Sequence, residues 1–232
     1  MNKVNKVLSI VYLLASIAYF VFFFIFQNNG FPSWYSESKF DITLIITNLG
    51  VAVLIFILNL ISKNLINNII SVAAFGMTLL ADFCLVINNS YLLGVIFFIV
   101  AQLMYFLRMI FVNKYGPFRL IRTISARVGL IVIMIIVMFV TNMFSVLNLF
   151  VCIYFPLLIM NAFDSLISLI LKRNKTFNAV SLVAFLLFIG CDVCVGLMNI
   201  GVPNVTGYLI WIFYIPSQIG LVLSTFILNI KK

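Results

Sequence analysis

The chain has 232 residues, 65% of them hydrophobic and only 8% charged, where a soluble domain of this size carries about a quarter charged residues. That excludes a water-soluble fold and predicts an all-α, polytopic membrane bundle, a single transmembrane domain over residues 1–232. The net charge of +9 does not call for nucleic acid, because a one-sided distribution of basic residues in the loops accounts for it.

Taken in order, the first apolar run covers residues 4–26 behind Lys3 and Lys6. It is long enough to span and no small-residue cleavage site follows, so an uncleaved first helix is expected. The polar segment Gln27 to Asp41 holds Gly30, Pro32 and the pair Trp34-Tyr35, aromatics suited to the headgroup level. Further spans are expected at about 42–62, 65–87, 91–113, 126–142, 145–171, 177–199 and 206–230, eight in all. Arg119, Arg122 and Arg127 crowd the start of the fifth, so part of 115–127 is alternatively an interfacial basic helix.

In an eight-span arrangement twelve of the fourteen basic residues fall on one side, Arg108 lies one turn inside it, and only Lys39 falls opposite. Both termini are therefore expected in the cytoplasm, and the basic face should favour anionic lipid headgroups. A bacterial plasma membrane is the expected location.

Among five acids, Glu37 and Asp41 belong to the outer loop, while Asp82, Asp164 and Asp192 fall within spans. A charge at a helix centre costs roughly 2.5–3.5 kcal/mol on insertion scales, so each needs a reason. Asp164 and Arg108 come at similar depth and are expected to pair. Asp82 and Asp192 have no obvious basic partner at their depth and are the catalytic candidates. Each sits in its span's outward end, and the matching Asp82-x-Cys84 and Asp192-x-Cys194 hint at a parallel four-plus-four repeat. If the two converge, repulsion in a low dielectric leaves one proton shared between them, dividing acid from base. Gln102, Tyr105, Tyr154, Tyr214 and Gln218 are the candidate substrate-binding residues. Asn59, Asn142, Asn148 and Asn161 are left unassigned, and Pro156 and Pro216 are expected to kink spans six and eight.

The absence of histidine removes the usual imidazole base and the commonest zinc ligand. Cys191 and Cys194 form one C-x-x-C with no second pair, so Cys84, Cys152, Cys191 and Cys194 are expected to be structural thiols, with neither metal nor cofactor.

Several short motifs now align. They are Ala81-Asp82-Phe83-Cys84-Leu85, similar to G-D-x-x-L; Phe98 to Tyr105, similar to F-x-x-A-H-x-x-Y; Phe188 to Asp192, similar to F-x-x-S-D; and Tyr214 to Gln218 with Ser224, a Y-x-x-x-Q followed by serine. In this order, and over most of the chain, they resemble the YhhN family of integral-membrane lysoplasmalogenases. Three positions depart: Ala81 stands for glycine, Gln102 for histidine and Cys191 for serine. The resemblance implies hydrolysis of the vinyl-ether bond of a lysophospholipid to a fatty aldehyde and a glycerophospho-alcohol, with Asp82 and Asp192 as acid and base. The rivals are a proton-coupled or small-solute transporter and a catalytically silent lipid-binding protein. An apolar cytoplasmic half in spans three and seven is expected to favour a closed pocket over a transport path.

Overall fold

The computed structural model describes residues 65–200 and 205–230, together with the single helical position Leu14. The first two expected spans, the segment Gln27 to Asp41 and the N-terminus lie outside the described residues. Among the described residues all regular structure is helical: α1 (Leu65–Asp82), continued by a π-helical turn (Phe83–Ile87), α2 (Tyr91–Asn113), α3 (Pro117–Val140), α4 (Val146–Ile170), α5 (Lys175–Asn199) and α6 (Val205–Ile230). These are the third to eighth expected spans. Among the described residues five stretches are long and apolar enough to cross a membrane, the first being Ile66–Leu85, and α6 adds the apolar run Leu209–Thr225. A bilayer core offers the backbone no water to bond to, so uninterrupted apolar runs of this length settle as helices that satisfy their own N–H and C=O groups.

Four of these helical runs are followed within three residues by a polar residue in the left-handed region, and a fifth such residue opens α5. Asn89, Lys114, Asn142, Lys172 and Asn174 all have positive φ, between 32° and 55°. Lys114 closes α2 with its N–H on Ile110 O, an αL termination. Gly116 and Pro117 then open α3, Pro having no N–H to leave unpaired there.

One boundary differs from expectation. The helix of the fifth span starts at Pro117, not near 126, so the basic stretch is its own first turns and no separate interfacial helix forms. Nothing between Arg119 and Arg127 breaks a helix, and Thr123 fits in by donating back to Arg119 O and Leu120 O, both at 3.1 Å. Thr123, Arg127 and Met138 are its buried residues; most of α3 presents Ile, Val and Phe outward, as a lipid-facing helix does.

The described residues group into two compact units, 65–161 and 162–230. In the first, α1 and α2 pack together over Ala74, Phe75, Ala81, Phe98, Ala101 and Tyr105, all buried. In the second, α5 and α6 pack together around a close approach at Gly220, where an added Cβ would come 2.8 Å from Ala184 Cβ. Small residues at such a crossing let two membrane helices meet closely. Gly220→Val is therefore expected to lower the thermal stability of the purified protein by about 1–3 kcal/mol through overpacking. An unchanged unfolding temperature in detergent would show that the two helices do not meet there.

Candidate functional site

Asp82 is the last α-helical residue of α1, and the π-helical turn begins at the next position. The turn widens the spacing: Asn88 N–H reaches Phe83 O at 3.2 Å and Ser90 N–H reaches Cys84 O at 2.7 Å. Single π turns inside helices recur at functional sites because they re-aim side chains at a local cost. Asp82 is buried, at 8% exposure. Tyr105 of α2 is buried as well, on the helix that packs against α1. Asp82 and Tyr105 thus belong to the same packed helix pair. Thr78, whose hydroxyl donates to Ala74 O at 3.1 Å, joins them without having been foreseen.

One turn before Tyr105, Gln102 is fully buried and bonded across the unit. Asn161 Nδ2 donates to Gln102 Oε1 at 2.9 Å and to the Gln102 backbone carbonyl at 3.0 Å. Asn161 Oδ1 accepts from Arg127 Nη2 at 2.9 Å. The guanidinium also donates through Nη1 to Thr123 O at 3.2 Å and lies 3.6 Å above the centre of the Phe106 ring. A cation that desolvates this far needs such partners. Tyr154 of α4 is buried against Phe98, one turn before Gln102, with ring centres 5.6 Å apart.

The other candidates belong to the second unit. Asp192 is half-buried on α5, between the buried Cys191 and Cys194. Tyr214 and Gln218 are buried on α6, and Tyr214 meets Phe188 of α5 edge-on, with centroids 5.7 Å apart. Pro216 interrupts the α6 ladder between them, and Ser217 Oγ donates to Tyr214 O at 2.6 Å.

One expectation needs correction. The first half of α1 is not apolar: Asn67, Asn68 and Ser71 are all buried there. Much of this polarity is spent on neighbours. Arg108 Nε donates to Asn67 Oδ1 at 3.0 Å, Asn67 Nδ2 to Asn68 Oδ1 at 3.2 Å, and Ser71 Oγ to Asn67 O at 2.7 Å. Arg108 accordingly ties α2 to α1 through Asn67, a partner legible only as an Asn-Asn pair in an apolar run. Asp164, on α4, is fully buried.

With this geometry in place, a family model described as the YhhN family matches residues 42–225. The chain belongs to the YhhN family. No curated protein and no solved structure matches it. The YhhN match contains Asp82, Gln102, Tyr105, Tyr154, Asp192, Tyr214 and Gln218, so each candidate lies in the part of the chain that defines membership.

Proposed function

We propose that this YhhN-family protein is an integral-membrane hydrolase that cleaves the vinyl-ether bond of a lysophospholipid, using Asp82 and Asp192 as its acid and base. Family membership supports the reaction class. The observation that carries it is Asp82 itself: a buried carboxyl where α1 passes into a π turn, on a helix packed against the one that holds the buried Tyr105. The full arrangement we propose has eight spans, with both termini in the cytoplasm of a bacterium and the lysolipid entering sideways from the bilayer.

The chemistry follows from what an enol ether needs. A carboxylic acid donates its proton to the outer vinyl carbon, which leaves an oxocarbenium ion stabilised by the ether oxygen. The second carboxylate stabilises that cation and takes a proton from the attacking water. The resulting hemiacetal collapses: its C–O bond to glycerol breaks, the oxygen leaves as the glycerol hydroxyl, and a fatty aldehyde remains. Water is the only co-reactant, and the two carboxyls finish with the protons they began with. Tyr105, Gln102, Tyr154, Tyr214 and Gln218 would orient the lipid and the water.

The test is aldehyde release by the purified protein from a vinyl-ether lysophospholipid, beside the ester and alkyl-ether lysolipids of equal chain length. Release from the vinyl ether alone is expected. Equal release from the ester would reassign the enzyme as a lysophospholipase. No release from any of the three would sink the hydrolase reading in favour of lipid binding or transport.

A further inference from the structure

The Arg127–Asn161–Gln102 chain has a direction. A guanidinium can only donate, so the Asn161 atom facing Arg127 Nη2 must be the oxygen. That leaves Asn161 Nδ2 facing α2, where it donates to both Gln102 oxygens, the side-chain Oε1 and the backbone carbonyl. Gln102 Oε1 is thereby held as the acceptor, and its amide nitrogen is turned away from Asn161. The orientations of both amides follow from the fixed polarity of one arginine.

The end of this relay is a donor with nothing to donate to. Gln102 is fully buried, yet its Nε2 has no hydrogen-bond partner. A buried unsatisfied donor costs about 1–3 kcal/mol, and such groups in a folded protein mark a place where a ligand or water belongs. The two terminal nitrogens of the arginine and its face are already engaged by Thr123 O, Asn161 Oδ1 and the Phe106 ring. A neutral N–H in an apolar helix pair suits a neutral oxygen acceptor better than a phosphate, which calls for a charged donor. Gln102 shares its face of α2 with Tyr105, three residues on, and with Phe98, four residues back.

We propose that Arg127 and Asn161 are positioning residues that lock Gln102 as a one-way donor to a glycerol oxygen of the bound lysolipid, its ether or hydroxyl oxygen. This rests on the lysophospholipid reading above. It gives the glutamine a role that a titratable side chain is not needed for: it holds the substrate and takes no part in proton transfer.

Two substitutions invert the polarity of this point by different routes. Gln102→Glu keeps the bond from Asn161 and replaces the outward N–H by an oxygen. Asn161→Asp keeps the bond from Arg127 but faces Gln102 with an acceptor, so the glutamine amide turns over and presents Oε1 outward. The probe is the non-hydrolysable 1-O-alkyl lysophosphatidylethanolamine, titrated against the protein in nanodiscs, with unfolding temperature and aldehyde release measured on the same samples. Binding about tenfold or more weaker than wild type is expected for every variant that remains folded, one hydrogen bond lost and one acceptor left facing another. Gln102→Asn, which keeps an amide, should recover part of the loss. Wild-type affinity in either folded variant would overturn the inference and leave the hydrolase standing. Failure of the wild-type protein to bind the alkyl lysolipid would overturn it too. Tight, polarity-sensitive binding with no aldehyde from the vinyl-ether lipid would instead uphold the donor and remove the hydrolase.

Discussion

Asp82→Asn and Asp192→Asn are each expected to lower aldehyde release by about 10²- to 10⁴-fold, the range a positioned acid or base contributes. Asparagine matches the carboxyl in size and still accepts a hydrogen bond, so the fold is expected to survive. It neither delivers a proton to carbon nor carries the charge that steadies an oxocarbenium ion. If the two carboxyls act in one step, the double variant should fall little further than the worse single, since groups that work as a unit are far from additive. Multiplied losses would mean two separate contributions. A folded single variant within about tenfold of wild type would make that aspartate structural, and Asp192, half-buried on its helix where Asp82 is buried, is the more exposed to that outcome. Measuring all three variants on the alkyl-ether lysolipid separates lost chemistry from lost binding: only the rate should move.

The helices were legible because each is built on a long, mainly apolar run, several of them followed by Asn or Lys at positive φ, and these signals need no knowledge of neighbours. From the end of span three to the end of span seven the expected ends agree with the structure within a few residues, except at α3. There a cluster of arginines pointed to the membrane surface, and the deciding fact was remote in sequence. Arg127 is drawn inward by Asn161, thirty-four residues later, and by the face of Phe106. Asn161, left without a role in the sequence, joins three helices for the same reason. The π turn after Asp82 had no residue signature, since it is a shift of hydrogen-bond register by one position within FCLVI. Composition reports where a chain leaves water; which polar groups find each other inside depends on packing that no local pattern records. The aspartate was visible early because its cost in lipid does not depend on its partners.

Replacing Asn161 by leucine is expected to destabilise the protein by about 3–4 kcal/mol, more than any other single change in the buried network. Leucine is of similar size, so no cavity opens and the loss is electrostatic. Two of the three bonds removed are neutral contacts to Gln102, and interhelical bonds of that kind in membrane proteins average only about 0.6 kcal/mol. The third belongs to a guanidinium that is 4% exposed, and a hydrogen bond to a charged group is worth roughly 1.5–3 kcal/mol. The arginine therefore dominates, and the prediction has a signature in the double variant. Arg127→Met removes the cation that leucine strands, and methionine keeps contact with the Phe106 ring through its sulfur. Arg127→Met with Asn161→Leu should consequently be more stable than Asn161→Leu alone, as found when a buried ionic group is exchanged for apolar residues rather than left unpaired. Recovery stays partial, because Gln102 Oε1 has still lost its donor. Unfolding of the four proteins in one detergent measures the coupling as a double-mutant cycle. Additive losses would show that Arg127 does not depend on Asn161, and would remove the physical basis for the fixed direction of the Gln102 amide as well.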